Sequence, residues 1–169
     1  MHPVPMNHIA TSALLITLLI PAAKASAGDT CDFDQAAVLQ ELVSKAKANP
    51  GGVLDANNHR VAWKDASGRT VQISHAGCMD LGSSVKVSFP ESTDTRTAVA
   101  ALMLATSNYW SPIQANEASR ILGAGQFTTS RPAPGSVEFE VDKEASPAFP
   151  FGFTLEVKSD RALLSWQQL

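Results

Sequence analysis

The chain has 169 residues, 44% hydrophobic and 17% charged, with a formal net charge of −3. So mild an acidity gives no electrostatic footprint for DNA or RNA, and no polybasic run exists to hold an anionic membrane, so nucleic acid is not an expected partner. The hydrophobic share suits one globular domain with one core.

The first distinctive segment is the apolar run of residues 9–20 (IATSALLITLLI), followed by Pro21 and then AKASA, whose Ala25 and Ala27 offer the small side chains a signal peptidase needs. Residues 1–27 are therefore expected to be a cleavable export signal, and residues 28–169 a single exported domain, periplasmic or secreted from a Gram-negative cell. A membrane-spanning helix needs roughly 20 apolar residues. This run is shorter and carries Thr11, Ser12 and Thr17, so no stable membrane anchor is expected. The departure from pattern is at the front: residues 1–8 hold no Lys or Arg, and a start at Met6 would add none. Cys31 follows Gly28, Asp29 and Thr30 rather than a small-residue box, which argues against a lipid-modified terminus. Of the 13 Lys and Arg the leader removes Lys24 alone, leaving 12 against 16 Asp and Glu, a net charge of −4 over residues 28–169.

An exported domain sits in an oxidising compartment, where its two cysteines, Cys31 and Cys78, are most simply a disulfide. Chain-entropy reasoning for so long a loop gives on the order of 4 kcal/mol. His75, Cys78 and Asp80, with Cys31 and Asp32 brought near, would be the competing metal site. The sequence has no CxxC or HExxH spacing, so no metal and no cofactor are expected.

Asp32 followed by Gln35 resembles a capping box, and Leu39, Leu42, Val43 and Ala46 recur at helical spacing, predicting a helix over residues 34–48 that ends at Asn49-Pro50-Gly51-Gly52. Strands follow. Val61 and Trp63 alternate with Arg60, Ala62 and Lys64, and Val71, Ile73 and His75 alternate with Thr70, Gln72 and Ser74, with Asp65-Ala66-Ser67-Gly68 as the hairpin loop between them. A third strand over residues 84–89 aligns Val85, Val87 and Phe89, preceded by a segment, residues 77–84, that is too Gly-rich for regular pairing.

A central helix starts near Asp94 or Thr95 and runs through Val99, Leu102, Met103, Ala105 and Tyr109, apolar enough to be buried on most sides. Ser111, Pro112 and Gln114 combine an N-cap, a first-turn proline and a third-position Gln to open another helix, which buries Ile113, Ala118, Ile121 and Leu122 and stops at Gly123 or Gly125. After a loop over residues 129–135, Val137, Phe139 and Val141 alternate with Ser136, Glu138 and Glu140; Phe151, Phe153, Leu155 and Val157 repeat the pattern, and Ala162, Leu164 and Trp166 finish it. The order α-βββ-αα-βββ, with short connections, predicts an α+β domain: an antiparallel sheet of about six strands with helices packed on one face. Helix-then-three-strands occurs twice, without a recurring residue motif.

The chain contains no G-x-S-x-G, no G-x-x-x-x-G-K and no strand-linked G-x-G-x-x-G; Gly123-Ala124-Gly125 reads as a helix stop. His59 and His75 fall near the open end of the first hairpin, where His75, Asp80 and Ser83 or Ser84 could supply base, carboxylate and nucleophile of a small hydrolase. Half-buried strand histidines are the ordinary alternative, and Glu138 and Glu140 read as solvated charges rather than an acid/base pair. Phe149, beside Pro147 and Pro150, is either core or the anchor of a contact surface. The expectation taken forward is a non-catalytic binding protein of the cell envelope, of inhibitor or immunity type. It would meet another envelope protein or an incoming effector through Met79, Asp80, Leu81, Ser83 and Phe149.

Overall fold

A computed structural model describes residues 33–77 and 80–168. The leader, Cys31, Asp32, Cys78 and Met79 lie outside the described residues, and with them the expected cleavage, disulfide and first capping box.

The chain runs α1 (Gln35–Ala48), β1 (Val53–Asp55), β2 (Arg60–Lys64), β3 (Thr70–Ala76), β4 (Leu81–Ser88), α2 (Thr95–Tyr109), α3 (Pro112–Gly123), β5 (Thr128–Ser130), β6 (Ser136–Val141), β7 (Phe153–Lys158) and β8 (Arg161–Gln168). All eight strands form one antiparallel sheet in the order β1-β2-β3-β4-β8-β7-β6-β5. The α+β class and the element order follow the sequence expectation, but the sheet has eight strands rather than six. The two extra strands are the edges β1 and β5, three residues each, too short for alternation to be visible. The halves share a plan, one helix in the first and two in the second followed by a four-strand meander, and they join through their last strands, β4 and β8, with Val85 opposite Leu164 and Val87 opposite Ala162.

Strand alternation makes one face dry. Across the sheet, Val61, Ile73, Val85, Leu164 and Leu155 form one row of fully buried side chains, and Trp63, Val71, Val87, Ala162 and Val157 another. Helix α2 crosses β4, β8 and β7 through Ala98, Leu102 and Ala105; α1 covers β1 and β2 through Val38 and Leu42, and α3 packs on α2. Helix α1 is capped by Asp34, whose carboxylate accepts from the amides of Ala36 and Ala37 at 2.9 and 3.1 Å. Ser111 caps α3, but the Gln114 side chain does not return to it: it accepts from the Trp110 indole and donates to the Ala148 carbonyl at 3.2 Å. One predicted burial fails: Ile113 in the first turn of α3 is 73% exposed, the helix instead burying Ala115, Ala118 and Ile121. Leu104 of α2 is 52% exposed, on the side of that helix turned away from the sheet.

The segment after β3 is more regular than its glycines suggest. β4 begins at Leu81, and Gly82 pairs with both Ala76 and Gln167, so the ladder extends to Ala76 on β3 and Leu81 on β4. Gly77 holds φ at +104°, and a side chain there would strike the Asp80 carbonyl.

Leu164, fully buried where the halves meet, is the test of this core. Leu164→Ala should cost about 2–5 kcal/mol, read as a lower urea midpoint at unchanged m-value, while Leu104→Ala should stay within about 0.5 kcal/mol.

Candidate functional site

Register places two polar residues in an otherwise apolar row at one end of the dry face: His75, Ser83, Trp166, Phe153 and Val141 stand side by side on five strands. His75 and Ser83 are 3% and 2% exposed. Ser83 Oγ lies 2.9 Å from His75 Nδ1 and accepts from Gln168 Nε2 at 2.8 Å. With that lone pair occupied, the serine proton is best placed on Nδ1, which leaves the imidazole proton on Nε2. Nε2 faces Glu41 Oε2 at 3.7 Å, too far for a hydrogen bond, and has no hydrogen-bond partner among the described residues. Trp110 packs against the ring at 5.3 Å, and Lys45 sits over Trp110 while donating to the Tyr109 carbonyl at 2.9 Å. Burial holds the His75 pKa below the ordinary histidine value; Glu41 pulls it up, and Lys45 and His59 push it down.

These groups include serine, histidine and carboxylate, but not in the expected form. The carboxylate is Glu41 of α1 rather than Asp80, which is exposed on the turn, and the serine hydroxyl is enclosed between His75 and Gln168. His59 lies just before β2, where its carbonyl accepts from the His75 amide at 2.9 Å; the contact between the two histidines is through backbone. No group of three or more His, Cys, Asp or Glu suited to a metal ion occurs among the described residues.

The expected contact residues are scattered. Asp80 is at the surface, Leu81 packs partly buried against the core, and Met79 lies outside the described residues. Ser83 is a correction, falling on the inward side of β4, and of its two expected placements Phe149 takes the core one, fully buried 4.6 Å from the Phe153 ring and 6.1 Å from Trp166, so it is no contact anchor. The exposed aromatic of that segment is its neighbour Phe151, at 45%.

The sequence reading missed the opposite face of the same strand ends. Among the described residues no helix covers it, and a groove of about 420 Å³ runs across it. Its floor is Ser74, Ala76, Gly82, Ser84 and Ser165; Phe151, Gly152, Thr154, Glu140 and Gln167 complete it. Ser74, Ser84, Ser165 and Thr154 are successive partners across four strands, so four hydroxyls form one row at the strand spacing of about 4.8 Å. Ser74 Oγ and Ser84 Oγ share a hydrogen bond of 2.8 Å. Gly152 holds φ at +78°, and a side chain there would strike the Val141 carbonyl, so glycine lets the chain round the corner that presents Phe151. The signal was present as small polar residues at the outward positions, but only the register brings them into one row.

Because His75 is buried with a lowered pKa, the unfolded state takes up the proton more readily, so its contribution to stability is present above about pH 6.5 and is lost as pH falls below it. Urea titrations of wild type and His75→Gln from pH 7.5 to 5 should show the difference between the two proteins shrinking as the solution is acidified. Ser83→Ala should cost about 1–3 kcal/mol by leaving the buried Nδ1 of His75 without its hydroxyl partner.

No known protein family, curated protein or solved structure matches this chain.

Proposed function

We propose that the chain is an exported, non-catalytic binding protein of the cell envelope, of inhibitor or immunity type, which engages another protein through the groove on its open sheet face. The observation that carries this reading is the juxtaposition of a half-exposed Phe151 with a floor of small hydroxyl-bearing and glycine residues. A rigid aromatic edge beside a shallow depression can receive an inserted side chain or loop, and aromatic anchors contribute disproportionately to interface energy. Ala76 and Gly82 line one end of the groove, and the exposed Asp80 lies two residues before Gly82. The export assignment rests on the leader pattern at residues 1–27.

The hydrolase reading draws on the approach of Ser83, His75 and Glu41, but the enclosed serine hydroxyl favours a structural role for that cluster. A fluorophosphonate serine probe separates the two: binding requires none of it, and stoichiometric labelling of Ser83 would overturn the non-catalytic assignment.

Ser165→Arg places a long side chain in the groove. In a pull-down from envelope extract with residues 28–169, this variant should lose the specific partner captured by wild type, and Ile113→Asp, on the far helical side, should keep it. Equal capture by all three would refute the groove as the binding surface.

A further inference from the structure

Farther along the open face, Lys86 stands in the middle of the sheet on β4, with Gln72 opposite it on β3 and Leu163 opposite it on β8. Neither neighbour is acidic. The next carboxylate along this row is Glu156 on β7, two strands or roughly 10 Å away, and it is already held by Lys158 at 2.6 Å and approached by Arg161 at 3.7 Å. Arg60 is paired with Asp55 at 2.8 Å. Lys86 is thus a half-buried cation with no ion-pair partner among the described residues, near two arginines, on a protein whose net charge is negative.

Resting on the binding function above, we infer that Lys86 receives a carboxylate from an acidic, extended segment of the partner protein laid across the open face. The surroundings favour a chain segment over a small anion. Around Lys86 lie Gln72, Ser84, Ser88 and Ser165, neutral hydrogen-bonding groups that continue into the groove, and the two nearby arginines are engaged by Asp55 and by Glu156 and Asp160 instead of closing with Lys86 into a compact anion cage. A uniformly anionic surface such as a lipid bilayer would meet repulsion from Glu138 and Glu140 on β6, which share this face. A peptide with local acidic charge would not. Burial, followed by the Arg161 and Arg60 charges, lowers the Lys86 pKa, the strain that an incoming carboxylate would relieve.

The probe is a blocked peptide of two central glutamates flanked by serine and glycine, titrated into the ¹⁵N-labelled mature protein at low salt. Shifts should concentrate on amides of Gln72, Lys86, Ser88 and Leu163 and fade with added salt. Lys86→Gln should weaken binding about tenfold, Lys86→Arg should retain it, and Lys47→Gln on exposed α1 should leave it unchanged. Undiminished binding by Lys86→Gln, or the same shifts with inorganic phosphate at equal concentration, would overturn the inference. Ser165→Arg reports separately on the groove: loss of the envelope partner in that variant alone, with Lys86→Gln still capturing it, would sink the Lys86 inference and leave the binding function standing.

Discussion

The pairing of β4 with β8 is the contact on which the rest of the molecule depends. Each half is a meander, and the two last strands meet along eight residue pairs from Leu81–Gln168 to Ser88–Arg161. On the dry side the seam brings Val85 to Leu164 and Val87 to Ala162, under α2. On the open side it sets Ser84 beside Ser165 and fixes the neighbours of Lys86. A slip of one residue would turn every one of these side chains to the opposite face.

The seam also explains why polar groups sit in two quite different environments a few ångströms apart. His75 and Ser83 point inward, where an unpaired polar atom is costly, and Gln168 from the last turn of the ladder supplies the missing donor. Ser74, Ser84 and Ser165 point outward, where water or a partner can satisfy them. One end of the sheet therefore has a closed polar tie on one side and a receptive depression on the other. The tie joins β3, β4 and β8 beneath the groove.

Much of this was legible in the sequence and some was not, for identifiable reasons. Strong alternation marked β2, β3, β6, β7 and β8, and the Ser111-Pro112 signature placed the start of α3 to the residue. The edge strands escaped because three residues carry no period. Residues 81–83 escaped because Gly82 disguised a strand whose flatness lets it pair on both sides. The polarity of Ser83 suggested exposure, yet its place in the alternation required burial; Phe149 was ambiguous because the corner it fills is made by Phe153 and Trp166, distant in sequence. Glu41 could not have been matched with His75, since α1 and β3 are brought together only by packing.

The order of synthesis gives the seam a further cost. During N-to-C emergence from a ribosome or a translocation pore, the first meander is complete while its partner strand is still absent, and the β4 edge remains a bare template of backbone amides and carbonyls with Val85 and Val87 beside it. Closure requires contacts between segments some eighty residues apart, which slows it relative to local structure. The nascent chain is consequently most vulnerable to intermolecular strand capture in the interval before residues 161–168 arrive, and a ribosome-stalled or prematurely terminated product lacking them would be an aggregation seed rather than a half-functional domain.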